Sequence, residues 1–500
     1  MMRIPLNRAD TAPLYTQIYK FLRQQIETEA LVVGSRLPAS RELATDLGVS
    51  RVTVINAIAE LEAEGFVTSV QGSGAYVSDW LSLVEPLVGE TATSAVLSAG
   101  VFPWPNWQTR IEQDATVSLY SDHERQIVSC NHPDLIQFAS GMGSTEVFDL
   151  DAFRRTFQAV LRRDGADALG YGDTTHGGYE PLRATIAQIL SNSGIPTHAE
   201  NVLITSGSQQ AISLVAHLLV KPGETILVES PTYEGGLNLF MSMGANVVGV
   251  PMDEDGIRLD ALEAALQSHQ PKLIYTIPTF HNPTGTSLDT QRRRQLIALA
   301  QQYNVPIVED DFVGELRYEG YAQPALKALD TDGSVIYINT FSKALVPGLR
   351  LGFLAANGPV FEQLVILKRA NDRSSSDMMQ RALDAYITVG RYQAQLRKVG
   401  RIYRRRRNAM LAALEQFMPE GVGWQRPFGG LFLWLQLPDG MDAAELLSLA
   451  LEQGVAFVPG SAFFADKRPF SALRLNFTVH EPEIIEVGIE RLAKAIKMKV

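Results

Sequence analysis

Cysteine is almost absent from this chain. Cys130 stands alone among 500 residues, so no disulfide forms within one copy. Long apolar runs are absent too, and nothing approaches the ~20 consecutive apolar residues of a membrane span. The opening MMRIPLNRADTAPLY lacks the apolar stretch and small-residue cleavage site of a secretory signal. These absences predict a cytoplasmic protein with no membrane partner. Positive net charge is also lacking. The formal charge is −11 at pH 7, which excludes attraction to nucleic acid by the molecule as a whole and leaves that role to a local patch. Composition alone describes an acidic, soluble enzyme.

The length predicts two or three domains. Residues 1–78 read as short helices followed by a hairpin. Pro13–Ile26 carries Leu14, Ile18, Phe21, Leu22 and Ile26 at helical spacing. Ser40 is expected to cap a second helix, which Gly48 breaks. Ser50 is expected to cap a third, RVTVINAIAELEAEG, which stops at Gly65. Phe66–Val70, a glycine-rich turn and Ala75–Val77 then form the hairpin. Residues 79–130 read as a linker. From 131 to about 390, short apolar strands alternate with amphipathic helices, which predicts an α/β domain with a mostly parallel sheet. Residues 391–500 start with an arginine-rich helix and form a smaller α+β part.

Helix, tight turn, helix and wing is the order of a winged helix-turn-helix. Ser50 and Arg51 open its second helix, where side chains reach bases or phosphates. Arg51 suits guanine, Arg41 and Thr53 suit phosphates, and Gly72 and Gly74 allow a close backbone approach. The plainer alternative is a helical protein-interaction domain with solvated charges. The stretch LPASRELATDLGVSRVTVINAIAELEAEGFVTSVQGSGAYV resembles the GntR family of bacterial regulators over roughly residues 11–78. The resemblance implies that Arg41, Ser50, Arg51, Thr53 and Gly72 contact double-stranded operator DNA. Ile55 departs from the arginine that some GntR members carry there.

The larger part holds a second set of residues. Lys343 lies in NTFSKALVPGLRLGF after a buried strand, with Thr340, Ser342 and Arg350 near it in sequence. Asp310 ends the apolar strand VPIVED, at the sheet edge where open α/β folds bind ligands. Asn282 begins an NPTG turn after another strand. Ser206-Gly207-Ser208-Gln209 opens a helix whose free N–H groups suit a phosphate. Tyr233 follows a further strand. Singly, these read as a surface lysine, a capping aspartate, an ordinary turn, a helix cap and a core tyrosine. Together they supply what pyridoxal 5′-phosphate (PLP) requires: a lysine for the Schiff base, a carboxylate for the pyridine nitrogen and a phosphate cradle.

In this order and spacing, the set resembles fold-type I aminotransferases, and especially the branch with kynurenine and 2-aminoadipate aminotransferases. The resemblance implies Lys343 as the Schiff-base lysine and Asp310 as the pyridine partner, with Asn282 and Tyr233 as ring contacts. It assigns the phosphate to Ser208, Gln209, Thr340, Ser342 and Arg350, with Tyr171 reaching it from the partner subunit of a homodimer. Arg474 would receive the α-carboxylate of an amino acid; its plainer alternative is a surface arginine on an edge strand. Phe312 departs from the branch, which commonly has a tyrosine shortly after the aspartate.

A GntR reader joined to such a domain resembles the MocR subfamily. The resemblance implies a PLP-dependent transcriptional regulator that senses PLP, an amino acid or an amine through aldimine formation at Lys343. The alternatives are a working aminotransferase with an accessory DNA-binding domain, and a repressor whose large domain only dimerises.

Overall fold

The computed structural model describes residues 4–6, 13–27, 30–70, 74–78, 121–345, 347–466 and 469–499. The chain divides into two compact units, 1–113 and 114–500.

In the first unit, α1 (Leu14–Glu27), α2 (Ser40–Leu47) and α3 (Arg51–Ala63) precede β1 (Val67–Val70) and β2 (Gly74–Val77). The helical spacing of Ile18, Leu22 and Ile26 places all three in a core with Leu43, Val54, Ala57 and Leu61. Gly48, at φ 61°, closes α2 by donating its N–H to the carbonyls of Ala44 and Thr45. The Ser50 hydroxyl caps α3, accepting from Thr53 N at 3.2 Å. Ser40 differs from expectation. It is the first helical residue, the cap position falls on Ala39, and no side chain caps α2. The two strands pair antiparallel, Val67 opposite Val77. Gly72 lies outside the described residues.

The second unit starts earlier than the sequence suggests. Residues 79–120 of the expected linker lie outside the described residues, but Asp122–Ser129 is a helix with a Ser121/Glu124 capping box. Its buried Ile127 joins the main core. Next, β3 (Ile136–Gln137) pairs in parallel with Val455–Ala456. The start of the 131–390 stretch therefore packs with the C-terminal part, a long-range pairing that local pattern does not reveal.

The main sheet contains β4 (Val202–Thr205), β5 (Thr225–Ser230), β6 (Asn246–Asp253), β7 (Gly256–Ile257), β8 (Leu273–Thr276), β9 (Ile307–Asp310), β10 (Val335–Thr340) and β11 (Gly352–Ala355). Their spatial order is 4-11-10-9-8-5-6-7. The central pairs 10–9, 9–8, 8–5 and 5–6 are parallel, while β11 runs antiparallel to both neighbours. Residues alternate between the faces. Ile336 and Ile338 of β10 enter one core, and Tyr337 between them enters another. After helix Arg391–Phe417, a four-stranded antiparallel sheet forms the small α+β part. Among the described residues, no helix is long and apolar enough to cross a membrane.

Candidate functional site

The site forms where β8, β9 and β10 end. Register places Asp310 beside Ile338, so the carboxylate of β9 and the Thr340–Lys343 turn after β10 leave the sheet at the same edge. Asp310 is 2% exposed. Its Oδ2 accepts from Tyr275 Oη at 2.7 Å, and its buried Oδ1 has no hydrogen-bond partner. Burial pushes its carboxyl up to about 7, against the opposing pull of the Tyr275 hydroxyl and Lys343. Lys343 Nζ donates to the carbonyl of Gly141 at 2.8 Å. Burial, reinforced by Arg474, lowers this amine to about 8, while Asp310 opposes the shift.

The candidate anion-binding side is built from a strand, a glycine and a helix. β4 leads through Ser206–Gly207 into helix Ser208–Leu219, and Gly207 sits at φ 128° with no side chain capping the helix. A Cβ on Gly207 would lie 3.4 Å from the Arg350 guanidinium. Glycine therefore leaves room for an anion between a helix N-terminus and a cation. Thr340 Oγ1 donates to Ser342 Oγ at 3.0 Å, holding two hydroxyls together. The Gln209 side chain is used differently. It donates to the carbonyl of Gly235 at 2.9 Å and accepts from Tyr233 Oη at 3.2 Å, so it positions the tyrosine ring and leaves its backbone N–H for the anion.

Arg474 is not the surface arginine of its plainer reading. It lies on Ala472–Asn476, between the strands that carry Trp434 and Val458, and it is 6% exposed. Its guanidinium donates to Asn282 Oδ1 at 3.0 Å and to the Ala139 carbonyl at 2.9 Å. It lies 4.2 Å from the Phe432 ring centroid and 5.0 Å from that of Phe463. Its Nε has no partner. Burial lowers its pKa to about 10, which leaves it cationic at neutral pH. Phe312 stacks on Phe432 with centroids 6.4 Å apart and so backs the arginine's platform.

Two neighbours escape the sequence reading. Tyr275 sits inside the apolar strand KLIYTIPTF, and only its pairing with Asp310 gives it a role. His123, from within the expected linker, is buried with its Nε2 3.9 Å from Glu234 Oε2. Burial lowers its pKa to about 4. Tyr171 does not join the site within its own chain. It is 74% exposed, and its carbonyl accepts from Ser374 Oγ at 2.7 Å.

In the reader, Arg41 and Arg51 are exposed. Arg51 Nε reaches Ser40 Oγ at 3.4 Å, and the Ser50 and Thr53 hydroxyls meet at 2.8 Å. Val52 and Ile55, three residues apart on α3, are 63% and 43% exposed.

Residues 14–77 match the model of the bacterial regulatory proteins of the gntR family. Residues 133–492 match that of the class I and II aminotransferases. Over 98% of its length, the chain is 30% identical to the probable rhizopine catabolism regulatory protein MocR of Rhizobium meliloti, covering 95% of that protein. The chain belongs to the MocR subfamily of GntR-type regulators. The large domain of this MocR-type chain is also 41% identical to the aromatic-amino-acid aminotransferase 1 of Thermococcus litoralis, over 73% of the chain and 88% of that enzyme. Among solved structures, it superposes with TM-score 0.72 on LysN, the α-aminoadipate aminotransferase of Thermus thermophilus, complexed with N-(5′-phosphopyridoxyl)-L-leucine. That pair is 34% identical and covers 79% of this chain and 99% of the other.

Proposed function

We propose that this regulator binds PLP at Lys343 and senses an amino acid or amine there, changing the operator affinity of a homodimer. The observation that carries the reading is Asp310 Oδ1, a buried carboxylate oxygen without a donor. Burying a polar atom unpaired costs ~1–3 kcal/mol. A protonated pyridine nitrogen is a donor of the required kind. The glycine-lined gap before Arg350 suits the phosphate in the same way.

Bound PLP supplies an aldehyde that captures primary amines reversibly and a ring that withdraws electrons from them. The chain's residues do the rest. Lys343, lowered to about 8, keeps part of its amine unprotonated near neutral pH. Ser208, Gln209, Thr340, Ser342 and Arg350 hold the phosphate, with Tyr171 of the partner copy. Tyr233 faces the ring. Asn282 spends its oxygen on Arg474 and keeps its amide N–H for the phenolic oxygen. Arg474, still cationic at neutral pH, supplies the positive charge for an incoming carboxylate. On the DNA side, Arg51 reads a base edge, Arg41 and Thr53 hold phosphates, and the exposed Val52 and Ile55 suit thymine methyl groups.

The identity to an aminotransferase favours a second reading, an enzyme with an accessory reader. A paired experiment separates the two. Keto-acid production is measured over a panel of amino donors, and operator titrations are run with the same compounds. We expect slow or absent turnover and a donor-dependent change of roughly 5- to 150-fold in operator affinity. Turnover near ~1 s⁻¹ or above, with operator binding indifferent to every donor and to PLP, refutes the regulator reading.

A further inference from the structure

Strand alternation places Asp310 and Thr340 on the cofactor face of the sheet. Their neighbours Asp311 and Asn339 point to the other face. There they meet a separate chamber of about 280 Å³, close to the ~300–1,000 Å³ of small-ligand pockets. Its apolar wall includes Ile186, Leu190, Phe341 and Phe353, and its polar wall includes Glu315 and Arg317. It continues into an outer vestibule of about 750 Å³, since Ile189, Ser193, Glu315 and Arg317 line both. Arg397, Arg401 and Arg404 stand at that outer end.

The charges in the chamber are incompletely used. Asp311 is half committed: its Oδ2 accepts from Tyr337 Oη at 2.6 Å, that hydroxyl also accepts from Asn339 Nδ2 at 3.0 Å, and its buried Oδ1 has no hydrogen-bond partner. Glu315 accepts from Tyr392 Oη through Oε2 alone. Its Oε1 bonds no described residue. Arg317 is half-buried, 4.7 Å from the Phe280 ring centroid, and it forms no ion pair among the described residues. Two residues apart, Glu315 and Arg317 do not pair with each other. A half-buried cation usually finds an anion, because desolvation without one is costly. Here an exposed carboxylate and a half-buried guanidinium remain available in one chamber, lined also by Ile186, Leu190 and Phe341.

We propose that this chamber is a second effector site, for a free α-amino acid with an apolar side chain. The ligand's carboxylate pairs with Arg317 and its ammonium with Glu315. Its side chain lies on Ile186, Leu190 and Phe341. A simple cation or anion would satisfy only one of the two charges. A zwitterion satisfies both. The proposal requires nothing of Lys343 or PLP, so it stands or falls separately from the reading of the first site.

The test is calorimetric titration of the full-length Lys343→Ala protein with L-leucine. L-leucinamide, which lacks the carboxylate, and 4-methylpentanoate, which lacks the ammonium, serve as comparisons. We expect one L-leucine per chain at millimolar concentration or below, and at least ~10-fold weaker binding by either comparison compound. Glu315→Gln and Arg317→Gln should each reduce leucine affinity by ~10-fold or more. Glu315→Gln retains an acceptor for Tyr392, so a loss of binding at an unchanged melting temperature reports the ligand and not the fold. No leucine binding at millimolar concentration overturns the proposal, as does an affinity indifferent to both substitutions. An affinity set by Arg474→Lys instead would put leucine in the first site and overturn it equally.

Discussion

Asp310→Asn is the sharpest perturbation of the cofactor site. The asparagine keeps the shape and an oxygen for Tyr275, whose hydroxyl donates at 2.7 Å. What it removes is the charge that a pyridine N–H would meet at Oδ1. A hydrogen bond to a charged group contributes ~1.5–3 kcal/mol, so the PLP Kd should rise roughly 10- to 150-fold. The apo-protein should respond in the opposite sense. The carboxyl is raised from 3.8 to about 7 by burial, so between those values the native chain holds a proton that the unfolded chain has lost. That contribution is fully present below about 4 and is lost as pH rises through about 7. Apo Asp310→Asn should therefore melt no lower than apo wild type at pH 8, with a flatter profile between pH 4 and pH 7. The assay is a PLP titration of both apo-proteins at pH 8, followed by absorbance, with melting curves with and without PLP. An unchanged Kd, within about threefold, refutes the reasoning about Oδ1.

Other expectations follow from single groups. Because burial lowers Lys343 to about 8, its labelling by PLP and borohydride should accelerate about tenfold per pH unit below that value and level off above it. A rate still climbing toward pH 10 contradicts the shift. Arg51→Ala should weaken specific operator binding by ~1–3 kcal/mol while sparing the PLP spectrum, as a gel-shift titration at fixed salt will read. Ser50→Ala removes the hydroxyl that accepts from Thr53 N at 3.2 Å and should destabilise the reader by ~0.5–2 kcal/mol in chemical denaturation.

The reader and the sheet were legible because local pattern dictates them. Gly48 and Ser50 punctuate helices of clear periodicity, and the apolar runs before Asp310 and Lys343 could only be buried strands. The placement of Ser208, Thr340 and Ser342 was legible for the same reason, since each ends or closely follows a strand. What escaped depends on distance along the chain. Tyr275 gains its role from a residue 35 positions away. Helix Asp122–Ser129 is amphipathic but short, and in a stretch punctuated by prolines and serines it passes for linker. Arg474 was ambiguous because a central strand of a small sheet and an edge strand share one alternating pattern. The Glu315–Arg317 chamber is invisible in sequence, because its walls come from residues 186 to 392.

The acidity of the chain makes a last prediction about how it holds DNA. With a net charge of −11, non-specific affinity from the whole molecule is unfavourable, and the reader must depend on few cations. On α2 and α3 the exposed arginines are Arg41 and Arg51; Glu42, Asp46, Glu60 and Glu62 on the same helices add no attraction. With Arg41 of each reader on a phosphate and Arg51 on a base edge, the proposed homodimer releases counterions from about two phosphates. The logarithm of the operator binding constant should then fall with the logarithm of salt at a slope of roughly −2, or roughly −4 if Arg51 also neutralises a phosphate. A gentle slope leaves specificity to base contacts, where Val52 and Ile55 offer apolar surface in place of a further arginine. Arg51→Ala should make the slope shallower by ~2 per dimer if it meets a phosphate, and leave it unchanged if it reads only a base. A wild-type slope of about −8 or steeper, from titrations at several salt concentrations, would mean that cations beyond Arg41 and Arg51 also meet the duplex. The exposed Lys20 and Arg36 of the reader would then be the first to substitute.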